Sequence, residues 1–179
     1  MSKTTIIYLH GATGSGKTSV AEALHERIDG FFLRFSLDTI WSGFPRNVID
    51  TILAGEAVSD VKCPGVGRAY VECVCALASL GFNLIIDDDL PDRIVREHVL
   101  TRMEEHGVIL VGLYCPLEEL QRREPQRPDR AHGSVERDWA EIQQGLEYDL
   151  VVDTSRQTPE GAANAILDFL RNRRTNSTG

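Results

Sequence analysis

One stretch constrains this chain more than any other: Gly11-Ala12-Thr13-Gly14-Ser15-Gly16-Lys17-Thr18 fits G-x-x-x-x-G-K-[ST], the phosphate-binding P-loop, at every fixed position. It follows the apolar run Thr5-Ile6-Ile7-Tyr8-Leu9 and opens a segment with apolar residues at Val20, Leu24 and Ile28, the strand, loop and helix order that the motif needs. Glycines let successive backbone N–H groups curl around a polyphosphate, and the helix N-terminus adds the positive end of its dipole. Lys17 is placed to reach the β- and γ-phosphates, and Thr18 to ligate Mg²⁺. All eight residues, Gly11, Ala12, Thr13, Gly14, Ser15, Gly16, Lys17 and Thr18, are therefore candidate nucleotide-binding residues.

Composition narrows the partners. The 179 residues are 42% hydrophobic and 26% charged, enough for one domain with a full core, and a single domain spanning 1–179 is expected. The net charge of −8, without a Lys/Arg tract, argues against nucleic acid and favours a neutral or cationic small molecule. The start of the chain has neither the length nor the cleavage site of a signal peptide, and no run approaches a membrane span, so no membrane partner and a cytoplasmic location are expected. Cys63, Cys73, Cys75 and Cys115 lack a C-x-x-C spacing and read as buried, reduced thiols.

Taken in order, Phe31–Ser36 reads as a second strand that delivers Asp38 just past its end, with Trp41, Phe44 and Pro45 following as aromatic surface for a substrate. A helix N-cap for Thr39 onward is a second reading of Asp38, geometrically compatible with the first. Val66, Ala69, Tyr70, Cys73, Val74, Leu77 and Leu80 keep helical spacing up to Gly81. Phe82–Ile86 is a buried strand with Asp87-Asp88-Asp89 at its end, the Walker B arrangement. Asp87 is the best metal candidate, with Thr18 opposite, while Asp88 or Asp89 faces substrate. Pro91 starts a helix that ends near Gly107, and Val108–Tyr114 is the fourth strand.

A helix from Pro116 then leads into the arginine-dense Arg122–Arg130, where Pro125 and Pro128 interrupt regular structure. In a P-loop protein this reads as a lid, over about 122–133, that closes guanidiniums over the phosphates; Arg122 or Arg123 reads either as a residue that stacks on adenine or as an ordinary helix-end arginine. Ser134 caps a further helix to Gly145, Tyr148–Thr154 is the fifth strand, and Thr158 caps a last helix with Pro159 at its first position. Residues from about 172 to 179 read as a frayed tail. Alternating strands and helices imply an α/β fold, a three-layer α/β/α sandwich on a parallel five-stranded sheet.

No N-K-x-D segment occurs, which argues against a GTPase. The early P-loop and the arginine lid before the fifth strand are similar to the adenylate-kinase-like group of small-molecule kinases, which implies the P-loop kinase fold, strand order 2-3-1-4-5, and ATP as donor. More closely, Phe35-Ser36-Leu37-Asp38-Thr39-Ile40, Leu84-Ile85-Ile86-Asp87-Asp88, Arg123–Arg130 and Gly145–Thr154 resemble the chloramphenicol phosphotransferase family over nearly the whole chain. The resemblance implies ATP and Mg²⁺ as cofactors, a hydroxyl of a small antibiotic as acceptor, Asp38 as base, and Arg127 and Arg130 as the arginines that meet the transferred phosphoryl group. The chain departs from the family pattern between Ser42 and Gly67, the acceptor-pocket region, and has His10 where the family tends to have Asn.

Overall fold

The fold is seen in a computed structural model, which describes residues 4–53, 65–88, 100–124, Val135, Trp139 and 146–176. The run before the P-loop forms β1 (Ile6–His10), buried at all five positions. A strand covered on both faces cannot alternate apolar with polar residues, which is why Ile6-Ile7-Tyr8-Leu9 reads as a continuous apolar run. It lies at the centre of a five-stranded sheet with β2 (Phe32–Arg34), β3 (Asn83–Asp88), β4 (Val108–Tyr114) and β5 (Leu150–Asp153), in the order β2-β3-β1-β4-β5. All four pairings are parallel, as strands joined by helical crossovers must be.

The period of two along β1 divides the core between two faces. Ile7 and Leu9 pack with Val20, Ala21 and Leu24 of α1 (Lys17–His25) and with Ala162, Ala163 and Ile166 of the C-terminal helix, α6 (Pro159–Asn176). Ile6 and Tyr8 pack on the other face with Tyr70, Val71, Val74 and Ala78 of α4 (Val66–Ser79). Two short helices, α2 (Leu37–Trp41) and α3 (Arg46–Leu53), follow β2, and α5 (Leu117–Arg123) follows β4. The three-layer α/β/α sandwich and the 2-3-1-4-5 order agree with expectation, and they bring the C-terminal ends of β1, β2 and β3 to one edge.

Several boundaries differ from the sequence reading. β3 continues through Asp87 and Asp88, which pair with Leu9 and His10 of β1, so these carboxylates belong to the strand and leave it on opposite faces. The buried stripe of α4 is Tyr70, Val71, Val74, Cys75 and Ala78; Cys73 is exposed, contrary to its reading as a buried thiol, and Leu80 is 76% exposed. Cys75 and Cys115 are buried as expected, while Cys63 lies outside the described residues. The tail expected to fray from 172 is instead helical to Asn176, where Arg173 pairs with Asp149 and Thr175 Oγ1 donates to Asn172 O at 2.8 Å. Thr158 Oγ1 accepts from Gly161 N at 3.2 Å, the capping bond expected of it.

Candidate active site

The P-loop takes its shape from backbone constraints. A Cβ at Gly11 would stand 2.6 Å from Leu113 O and 2.8 Å from Ser15 Oγ, so only glycine lets the loop leave β1 against β4. Gly14 and Gly16 hold φ +86°, a left-handed conformation that a side chain resists. Gly16 is the residue from which α1 starts, so the helix N-terminus faces the loop's concavity. Lys17 Nζ donates to Gly11 O at 2.7 Å and Ala12 O at 3.1 Å, folded back over the loop it serves.

Opposite the loop stand three carboxylates. Asp38 is the second residue of α2, and the cap of that helix is Ser36, whose backbone N–H donates to Thr39 Oγ1 at 3.3 Å. The N-cap reading of Asp38 is thereby corrected: Ser36 does the capping, and Asp38 projects from the first turn. Together with Lys17, Thr18, Trp41, Asp87 and Asp88, it lines one cavity of about 100 Å³. Trp41 packs on Phe44 with ring centroids 5.3 Å apart, so Phe44 supports the tryptophan and is not itself part of that lining.

Asp87 and Asp88 divide the work between the sheet faces. Asp87 sits on the α1 side, where the Thr18 hydroxyl reaches its carboxylate. Burial raises its pKa above the ordinary carboxylate value, against the pull of Thr18, Arg34 and Lys17, while Asp38 adds repulsion. Asp87 Oδ1 is buried without a hydrogen-bond partner among the described residues, an oxygen suited to a cation. A hydroxyl and one carboxylate form a sparse donor set, which fits Mg²⁺: that ion keeps several waters and takes further oxygens from phosphates. Asp88 lies on the α4 side, 6% exposed, against the buried Tyr70 hydroxyl. Burial first, then the nearness of Asp88 and Tyr8, pushes the Tyr70 phenol well above its ordinary value.

Two further cavities flank the loop. One, of about 250 Å³, is lined by Ser15, Val20, Arg123, Gln157 and Pro159. Of the two arginines that the sequence offers for the nucleotide, the fold places Arg123 beside the P-loop, donating to Gly14 O at 3.3 Å. The other, of about 190 Å³, is lined by His10, Gly112, Trp139 and Tyr148 among others. There Tyr148 lies flat on Gly112 and shares a 2.8 Å hydrogen bond with His10 Nδ1.

Thus Lys17, Thr18, Asp38, Trp41, Asp87 and Asp88 converge, and Arg123 stands on the far side of the loop. Asp89, Arg127, Arg130 and most of the expected lid lie outside the described residues. Sequence reasoning missed Arg34 and Leu37. Leu37 lines the cavity, and Arg34 acts on Asp87 while bonded to Glu22 at 2.8 Å. Alternation along β2 was the available signal, since Phe32 and Arg34 share the face turned to α1.

A family model described as chloramphenicol phosphotransferase-like protein matches residues 4–171. The chain belongs to the chloramphenicol phosphotransferase-like family. A Mycobacterium tuberculosis H37Rv protein with the provisional name O-phosphotransferase is 25% identical over 168 residues, 84% of this chain and 75% of its own length. Among solved structures, a sugar kinase from Janibacter sp. HTCC2649 superposes with a TM-score of 0.69 at 24% identity, covering 94% of this chain and 95% of that one. The Mycobacterium tuberculosis APS kinase has a TM-score of 0.68 at 17% identity, covering 94% and 98%. These structures establish the P-loop kinase fold for this member of the family, and the family establishes a phosphotransferase of the small-molecule kinase type. No described helix is long and apolar enough to cross a membrane.

Proposed function

We propose that the protein transfers the γ-phosphoryl group of ATP to a hydroxyl of a small neutral molecule, chloramphenicol or a related antibiotic, and so inactivates it. The observation that carries this reading is the single cavity in which a P-loop lysine faces a helix-borne carboxylate and a tryptophan. Phosphoryl transfer passes through a loose transition state, so the protein's task is alignment and charge neutralisation. Bound ATP supplies the phosphoryl group, and Mg²⁺, held through Thr18 and Asp87, supplies positive charge at its oxygens. Lys17 exchanges its bonds to Gly11 O and Ala12 O for the phosphates. Asp38 accepts the acceptor's proton, Trp41 covers its apolar part, and Asp88 accepts a hydrogen bond from a second polar group. Arg127 and Arg130 take the lid role on the strength of the family pattern.

The charge of the lining favours a neutral acceptor. Asp38 and Asp88 face the space where the acceptor sits, and Lys17 is the one cation in the described lining. An anionic acceptor would meet two carboxylates at short range, a cost of several kcal/mol in a partly dry site. The test is incubation with MgATP and a panel holding chloramphenicol, other hydroxylated antibiotics, neutral sugars and acidic metabolites, read by mass spectrometry. One added phosphoryl group on a neutral alcohol is expected. Phosphorylation confined to anionic acceptors would overturn the acceptor assignment, and ATP-independent products would overturn the donor.

A further inference from the structure

Two adjacent arginines end α5, and the fold uses them differently. Arg122 is 70% exposed and donates through Nε and Nη2 to the two carboxylate oxygens of Glu119, both at 2.8 Å. Arg123 is 28% exposed, and its three guanidinium nitrogens are anchored by three separate parts of the chain. Nε donates to Glu119 Oε1 at 2.7 Å, Nη1 to Gly14 O of the P-loop at 3.3 Å, and Nη2 to Thr154 O, just past β5, at 3.2 Å. Anchors at three nitrogens fix the plane of a guanidinium. A plate of fixed orientation is suited to stacking on a planar ring, whereas gripping a mobile phosphate calls for free edge donors.

The anchors are unequal. The carbonyl bonds are long and their acceptors neutral, while the bond to Glu119 is short and joins two ions, so it holds the guanidinium most firmly. Arg123 also lines the cavity of about 250 Å³ whose other lining includes Val20, Pro159 and Ala162, aliphatic surface of the kind a nucleobase covers. Resting on the ATP reading above, we propose that Glu119 is a positioning residue for the donor: it holds the plane of Arg123 so that the guanidinium offers a face to a nucleobase.

The role separates from a purely structural one in ligand selectivity. The full chain and its Glu119→Gln and Arg122→Gln variants are titrated calorimetrically with MgADP and with magnesium tripolyphosphate, which has no base. Glu119→Gln should weaken MgADP by about 5- to 20-fold, the size of one stacking contact, and leave tripolyphosphate within about 2-fold. Arg122→Gln should leave both ligands within about 2-fold, since its exposed guanidinium bonds Glu119 alone among the described residues. Unchanged MgADP affinity in Glu119→Gln, or equal weakening of both ligands, overturns the proposal while the ATP reading stands. A wild-type protein that binds neither ligand overturns the ATP reading itself.

Discussion

At the scale of single residues, Lys17 and Gly112 give opposite kinds of outcome. Lys17 donates to two carbonyls of its own loop and is half-buried, so its charge serves phosphates more than packing. Lys17→Ala should abolish measurable phosphoryl transfer while the denaturant midpoint shifts by no more than about 1 kcal/mol in stability. Full turnover in the variant would remove the P-loop from the mechanism. Gly112 is the reverse case. A Cβ there would come within 2.9 Å of the Tyr148 ring, which would have to lift and strain its bond to His10. Gly112→Ala should cost about 1–3 kcal/mol by the same unfolding measurement, and unchanged stability would mean that Tyr148 moves freely.

At the scale of elements, α5 and the β5–α6 turn are built on ionised carboxylates. Bonds from Arg122 and then Arg123 lower Glu119 from its ordinary 4.5 to about 2. The Ser155 hydroxyl lowers Asp153, whose Oδ1 accepts from Ser155 Oγ at 2.6 Å. A carboxylate with a depressed folded pKa contributes stability that is fully present above its unfolded value and is lost as pH falls through the folded one. The melting temperature of Glu119→Gln should therefore lie below wild type near pH 6, and the gap should close between about pH 4.5 and pH 2. A gap that persists at pH 2 would show that packing, not charge, sets the effect. Asp87 has the opposite sign, since burial raises its pKa and any cost of its ionisation disappears in acid.

For the whole molecule, the sheet was legible because each strand is a short apolar run between turn signals, and the P-loop fixes which run is β1. The site was legible where a motif spans few residues, as with Lys17, Thr18 and Asp87. It was less legible where geometry depends on strand length. The apolar run ends at Ile86 and so places Asp87 and Asp88 after the strand, yet pairing with Leu9 and His10 keeps both in it and sends them to opposite faces. Asp38 was open between cap and base because Ser36 and Thr39, which share the capping, are themselves polar residues common in any loop. Arg34 and Glu119 escaped notice because their partners, Asp87 and Arg123 with its carbonyl anchors, are set by the fold and carry no pattern of their own.

Catalysis requires that assembly from distant segments: β1, β2 and β3 must place Lys17, Asp38 and Asp87 around one transfer event. The most direct measurement is transfer of labelled γ-phosphoryl from MgATP to a phosphorylated acceptor from the panel, compared among wild type, Asp38→Asn and Asp38→Ala at saturating substrates. Because Ser36 caps α2, neither substitution removes the cap, and melting midpoints should stay close to wild type. Wild type should transfer the label, and kcat should fall by roughly 10² to 10⁴ in Asp38→Ala, with Asp38→Asn retaining more if it still orients the hydroxyl. Near-wild-type kcat in Asp38→Ala would contradict a catalytic role for Asp38.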